Sequence, residues 1–289
     1  MKYDSIAELI TAAEQKSLTI GETVLLDQAA EACKKKEDLL QEMDARLTVM
    51  EEAVKKGYES KHSLSGLTGG DGLLMKNHAS EALVGRQLSL AVARAVAVAE
   101  YNAAMGKIVA APTAGSCGIM PGCLISMMED HGLSRDRVLL SMFTAGAIGM
   151  VIASRASVAG ASGGCQAECG SAAAMTAAAL VEMMGGTPSA CGEACAISLK
   201  NQLGLVCDPV AGLVEIPCIK RNAQGVVTAF LAADMALAGI TSHIPADEVI
   251  DAMKEIGDAL PCSLKETAEG GLAATPTGQR IREEIFGKE

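Results

Sequence analysis

Apolar positions along this chain recur at helical spacing, and no stretch alternates apolar and polar residues as a strand does. In residues 22–56, Leu40, Met43, Leu47, Met50 and Val54 step by three and four and share one helix face, with Lys34, Lys35, Lys36, Glu37 and Asp38 opposite. That pattern predicts one long helix ending at Gly57. It suits a peripheral helix packed by a single stripe, or an arm docking on another subunit, with the first the simpler reading. Ser5 and Glu8 have capping-box spacing and open a helix to about Lys16. Further helices are expected over about 80–104, from about 119, and over 134–157, 166–184, 188–203, 219–238 and 245–260. Glycine-rich loops fall at 58–77, 111–118, 160–164 and 204–218, and the C-terminus from 270 reads as loop and tail. The prediction is an all-α, multi-helix fold. Residues 1–57 are expected to form an N-terminal helical layer, and residues 58–289 a helical domain interrupted by the glycine-rich loops.

Composition sharpens this picture. Hydrophobic residues make up 49% of the 289 positions, yet aromatics only 2%, with no Trp. The core must therefore be built from Ala, Val, Ile, Leu and the 15 Met, and small side chains let helices approach closely. A net charge of -11 leaves no basic footprint for nucleic acid. Acidic residues stand early in the chain, where a signal peptide would be apolar. The expected setting is a reducing cytoplasm, with the ten Cys as thiols or ligands.

No membrane span is expected. Residues 108–128 lack charge but contain Pro112, Gly115, Gly118, Pro121 and Gly122, and read as loop. Residues 138–154 are uncharged between Arg137 and Arg155, short for a span, and read as a buried core helix.

The most informative residues are Cys165, Cys207 and Cys218. Each stands beside a glycine or proline punctuation point, and the steps between them are 42 and 11 residues. Three loop-borne thiolates without an obvious fourth suit a metal centre with an open coordination position, as Lewis-acid catalysis needs. Their separations match no common zinc-ribbon or ferredoxin pattern. Glu168 and Asp208 lie close enough in sequence to support the ligands. Cys33, Cys123, Cys191, Cys195 and Cys262 read as packing residues, although Cys191 and Cys195, like Cys165 and Cys169, share a helix face.

The turn Pro112-Thr113-Ala114-Gly115-Ser116-Cys117-Gly118 precedes a helix, so its backbone N–H groups suit an anionic group, though taken alone a plain helix entry is the simpler reading. Of His62, His78, His131 and His243, only the first two flank glycine-rich polar segments, and a solvated surface role fits them too. There is no Gly-x-Gly-x-x-Gly motif, no phosphate-loop lysine and no lysine in a pyridoxal-type setting.

Several of these motifs together resemble a known family. Glu100-Tyr101-Asn102-Ala103-Ala104, the 111–121 segment, Gly164-Cys165-Gln166-Ala167-Glu168, Val206-Cys207-Asp208-Pro209-Val210 and Ile216-Pro217-Cys218-Ile219-Lys220-Arg221 are similar to those of the iron–sulfur-dependent bacterial L-serine dehydratases, α subunit of the two-subunit form. The resemblance implies a helical catalytic unit. It implies a 4Fe–4S cluster on Cys165, Cys207 and Cys218 with the fourth iron left for L-serine, and a separate β subunit in an oligomer. Cys117 and Cys169 receive no ligand role. The tail Ile285-Phe286-Gly287-Lys288-Glu289 has no cysteine of the kind that caps the open iron in some single-chain relatives. The implied reaction converts L-serine through aminoacrylate to pyruvate and ammonia. Thr113, Gly115 and Ser116, with Lys107 adding charge, are the expected substrate-binding residues, and the base is assigned to no residue because it can lie on the β subunit. Two other readings stay open: a related cluster enzyme that removes sulfide from cysteine, and a non-enzymatic helical scaffold holding zinc.

Overall fold

The structure is a computed structural model and describes residues 3–59 and 62–287. Met1 and Lys2 of the N-terminal segment, Ser60 and Lys61 of the predicted 58–77 loop, and Lys288 and Glu289 of the tail lie outside the described residues. Thirteen α-helices account for most of those described, and the only β pairing among them is an isolated parallel bridge between Cys207 and Lys265. The all-α expectation is met.

The first three helices are α1 (Ile6–Lys16), α2 (Ile20–Glu31) and α3 (Lys36–Glu59). At the start of α1 the Ser5 hydroxyl accepts from Glu8 N at 3.1 Å, but the Glu8 carboxylate reaches Asp4 N instead of closing a box. The complete capping box is one helix later, between Thr19 and Glu22. The single helix expected over 22–56 is two helices. The chain turns at Cys33, in the left-handed region (φ 51), where Lys34 N bonds back to Ala29 O. The apolar stripe belongs to α3 alone: Leu47, Met50 and Val54 are buried, and Leu40 and Met43 are partly covered. That stripe packs within the chain, mainly on α5 (Arg86–Ala103), which follows the short α4 (Asp71–His78). Side chains of α1, α2 and α3 join the same buried cluster as those of the later helices.

The predicted 58–77 loop is shorter than its composition suggested, because α3 continues through Gly57 and α4 begins at Asp71. The buried Glu100 carboxylate accepts from the N–H groups of Asp71 (2.8 Å) and Gly72 (3.1 Å), supplying a cap that the glycines before α4 lack. Next come α6 (Ile119–Glu129) and α7 (Arg135–Arg155). The uncharged 108–128 stretch is therefore half helix. Pro121 sits in the first turn of α6, where its missing N–H costs no hydrogen bond. Helix α7 has the length and composition to cross a membrane but is packed against α2 and α9, with Val138, Ile148 and Ile152 fully covered.

The remaining helices are α8 (Gly160–Gly163), α9 (Ser171–Met183), α10 (Pro188–Lys200), α11 (Cys218–Leu237), α12 (Ala246–Ala259) and α13 (Pro276–Phe286). Every residue of α9 is buried, enclosed by α7, α10 and α11. The C-terminal segment is not the tail its composition suggested. Thr275 accepts from Gly278 N and Pro276 takes the first helical position, which together start α13.

Close backbone contact replaces the missing aromatics. A Cβ at Gly57 would fall inside the Ala97 carbonyl of α5, and one at Gly118 inside the Ala95 carbonyl. Gly57→Ala is expected to cost about 1–3 kcal/mol, since α3 and α5 must separate to admit one methyl. Thermal denaturation should show a clearly lowered midpoint, and an unchanged midpoint would contradict this packing.

Candidate functional site

Three arms carry the cysteines. The first is the single turn α8 followed by Gly164 (φ 78), a left-handed position that a side chain would strain and where a Cβ would also meet Leu260. Cys165 follows, and residues 166–170 form a π-helical turn before α9; such turns recur at functional sites. Gln166, fully buried, ties this arm to its surroundings. Its side-chain amide donates to Gly163 O (3.0 Å) and Met253 O (2.9 Å) and accepts from Gly204 N (2.8 Å). The second arm, 204–209, carries Cys207. Its N–H donates to Leu264 O (2.9 Å), and its carbonyl accepts from Glu266 N (2.7 Å), so the 262–266 segment clamps it. The third arm enters α11 at Cys218. Asn222, one turn on, donates to Cys218 O (2.9 Å) and Gly115 O (2.7 Å) and accepts from Gly118 N (2.9 Å). One carboxamide thus joins the third arm to the 112–118 turn.

All three cysteines are buried, and they lie close enough that their charges act on one another. Burial, then a charge on Cys165, pushes the Cys218 thiol up to about 12, and raises the Cys207 thiol as well. Cys165 is held below the usual thiol range, first by a hydrogen bond from Cys169 and then by the Arg221 guanidinium, against the pull of burial. Arg221 itself is anchored: it donates to Val206 O and to the buried Asp208 carboxylate, each at 2.8 Å. Asp208 also accepts from Leu272 N (2.8 Å) beneath Gly271.

Gly160 marks the space between these groups. A Cβ there would lie 2.9 Å from Cys207 Sγ and 3.4 Å from an oxygen of both Glu168 and Glu266. Thr113 donates to Glu168 and shares a hydrogen bond with Ser116 (3.1 Å), while Gly115 packs directly against the Glu168 carboxylate. Burial and the neighbouring Glu266 raise the Glu168 carboxyl above its ordinary value.

Of the sequence-predicted substrate residues, Thr113, Gly115 and Ser116 meet at Glu168. Lys107 is exposed in the segment before the turn. His62, His78, His131 and His243 are all exposed. Sequence reasoning did not single out Arg221, Asn222 or Glu266. The first two were findable, standing three and four residues after Cys218 and so one helical turn from it. Nothing local to Glu266 marks it, because the Cys207 clamp alone brings it into place.

Residues 6–273 match the family described as serine dehydratase alpha chain. The chain is 53% identical over 287 residues to the probable L-serine dehydratase, alpha chain, of Bacillus subtilis, covering 99% of this chain and 96% of that one. It is 43% identical over 283 residues to the L-serine dehydratase, alpha chain, of Peptoniphilus asaccharolyticus, covering 96% and 97%. Against L-serine dehydratase 1 of Escherichia coli the match is 45% over 183 residues, 62% of this chain and 40% of that longer one. The chain belongs to the serine dehydratase alpha-chain family.

The Arg221–Asp208 pair predicts a stability effect. Arg221→Met leaves the Asp208 carboxylate, 5% exposed, without its counter-charge. A loss of about 3 kcal/mol is expected in urea denaturation, because an unpartnered buried charge costs far more than an exposed pair is worth.

Proposed function

We propose that this chain is the catalytic subunit of an L-serine dehydratase, a lyase releasing pyruvate and ammonia in a reducing cytoplasm, with a 4Fe–4S cluster on Cys165, Cys207 and Cys218. The observation that carries the reading is that three arms from separate parts of the sequence, each holding a buried cysteine, are joined around Glu168 and the 112–118 turn. The names of the relatives support the substrate and the reaction.

The donor set fits the cluster. Thiolates are the ligands of iron–sulfur clusters, and three of them leave one position open. Gly160 keeps clear the space beside Cys207 that a methyl group would invade. When bound, the cluster would supply a Lewis-acidic iron that makes the substrate hydroxyl a better leaving group.

The chain's own residues hold the substrate. The Thr113 and Ser116 hydroxyls form one edge of the site, and the Glu168 carboxylate beside them attracts the ammonium end of L-serine. Lys107, exposed before the turn, adds positive charge toward the carboxylate end. Arg221, paired with Asp208 and fixed to Val206 O, steadies the second arm and lowers the proton affinity of Cys165.

Purification under anaerobic conditions, with a visible spectrum and iron and sulfide analysis, tests the cofactor. Pyruvate formation from L-serine tests the reaction, and iron-loaded protein active on L-cysteine but not L-serine would move the substrate to a thiol. Cys165→Ala, Cys207→Ala and Cys218→Ala are each expected to lose the cluster and all serine-dependent pyruvate formation, while Cys33→Ala keeps both. Wild-type iron content in all three would sink the ligand assignment. The name alpha chain points to a β partner. Isolated chain is therefore expected to turn over L-serine weakly until a β subunit is added; full turnover alone would refute the need for one.

A further inference from the structure

Glu215 lies three residues before Cys218, is 6% exposed, and accepts hydrogen bonds from three hydroxyls of one loop. Ser63 donates at 2.6 Å, Ser65 at 2.8 Å and Thr68 at 2.8 Å. The loop they belong to, 62–70, has little else to order it. Its only buried residues are Ser63 and Thr68, joined by Ser63 N to Thr68 O at 2.8 Å. Gly66, Gly69 and Gly70 all take positive φ, so the backbone is free to adopt other paths once the anchor is gone. Meanwhile the Glu215 carbonyl accepts from Ile219 N (3.0 Å) and so begins the first turn of α11 around Cys218. Just beyond, Lys220 pairs with Asp71 at 3.0 Å, tying the same helix to the start of α4, where the loop ends.

A carboxylate taken out of water must be repaid by its hydrogen bonds. Among the described residues those bonds come from a glycine-rich loop, while the residue's backbone sets the start of the cysteine helix. We infer that Glu215 is a positioning residue that orders the 62–70 loop and the Cys218 arm as one unit, so that presentation of the third thiolate depends on a loop about 150 positions earlier in the chain. The link to iron rests on the ligand reading above; the coupling between loop and arm does not.

The test uses the full chain with Glu215→Ala and the milder Glu215→Gln, in case the first fails to fold. Hydrogen–deuterium exchange is followed in peptides covering 62–70 and 216–221, and iron and sulfide are measured after anaerobic reconstitution. Loss of hydrogen bonds to a charged acceptor should speed exchange about tenfold or more in both segments together, with Glu215→Gln intermediate. Iron content should fall with it, while peptides of the buried α9 keep their wild-type protection. A variant whose 62–70 loop loosens while 216–221 exchanges at the wild-type rate and iron content is unchanged would overturn the inference. If wild-type protein takes up no iron, the cluster reading fails separately, and the two exchange rates still decide the coupling.

Discussion

The close approach of small residues on α5 is the constraint on which the rest of this structure depends. Ala91, Ala95 and Ala97 present almost bare backbone, and α3, α4 and α6 come up against them through Gly57, Gly72, and Gly118 with Gly122. With aromatics at 2% of the sequence, the core has no large rings to fill gaps, so it must close them by bringing helices together. The same contact sets the site. Gly118 sits on Ala95 and gives its N–H to Asn222, and Asn222 holds both the 112–118 turn and the Cys218 arm. A larger residue on either side would displace the turn from Glu168 and, through Asn222, the third thiol.

Around this framework the charged groups are arranged by burial and pairing. Arg221 lies between the Asp208 carboxylate, which it bonds directly, and Cys165, whose proton affinity it lowers. A hydrogen bond to Cys165, then burial, raises the Cys169 thiol, and the same bond lowers that of Cys165. Glu100 and Glu215 use the same device at the edge of the site: each is a buried carboxylate whose hydrogen-bond donors come from segments far away in sequence. Polar groups fully partnered in this way hold loops in one position where a purely apolar contact would let them slide.

Much of this was legible in the residues themselves. Helical spacing, abundant alanine and the lack of strand alternation led to the all-α reading. The three cysteine motifs stood out because glycine or proline beside each one marks a constrained loop. The errors were local. Cys33 interrupts a helical pattern without glycine or proline, because a left-handed residue closed by a backbone hydrogen bond ends a helix with any side chain the packing tolerates. Helix α4 was hidden because its capping group, Glu100, lies on another helix. Helix α13 was missed although Thr275 and Pro276 form a start signal, since the polar residues after them bury little.

By itself the sequence determined the fold class, the three thiols and the turn that accompanies them, because those depend on residue type and short spacing. The tertiary structure decided which groups share the site. Glu168, Glu266, Arg221 and Asn222 converge there because helix packing and the clamp on Cys207 bring segments from residues 113 to 266 within hydrogen-bonding or contact distance. No periodicity within a single segment encodes that proximity, which is fixed by backbone approach between helices far apart in the chain.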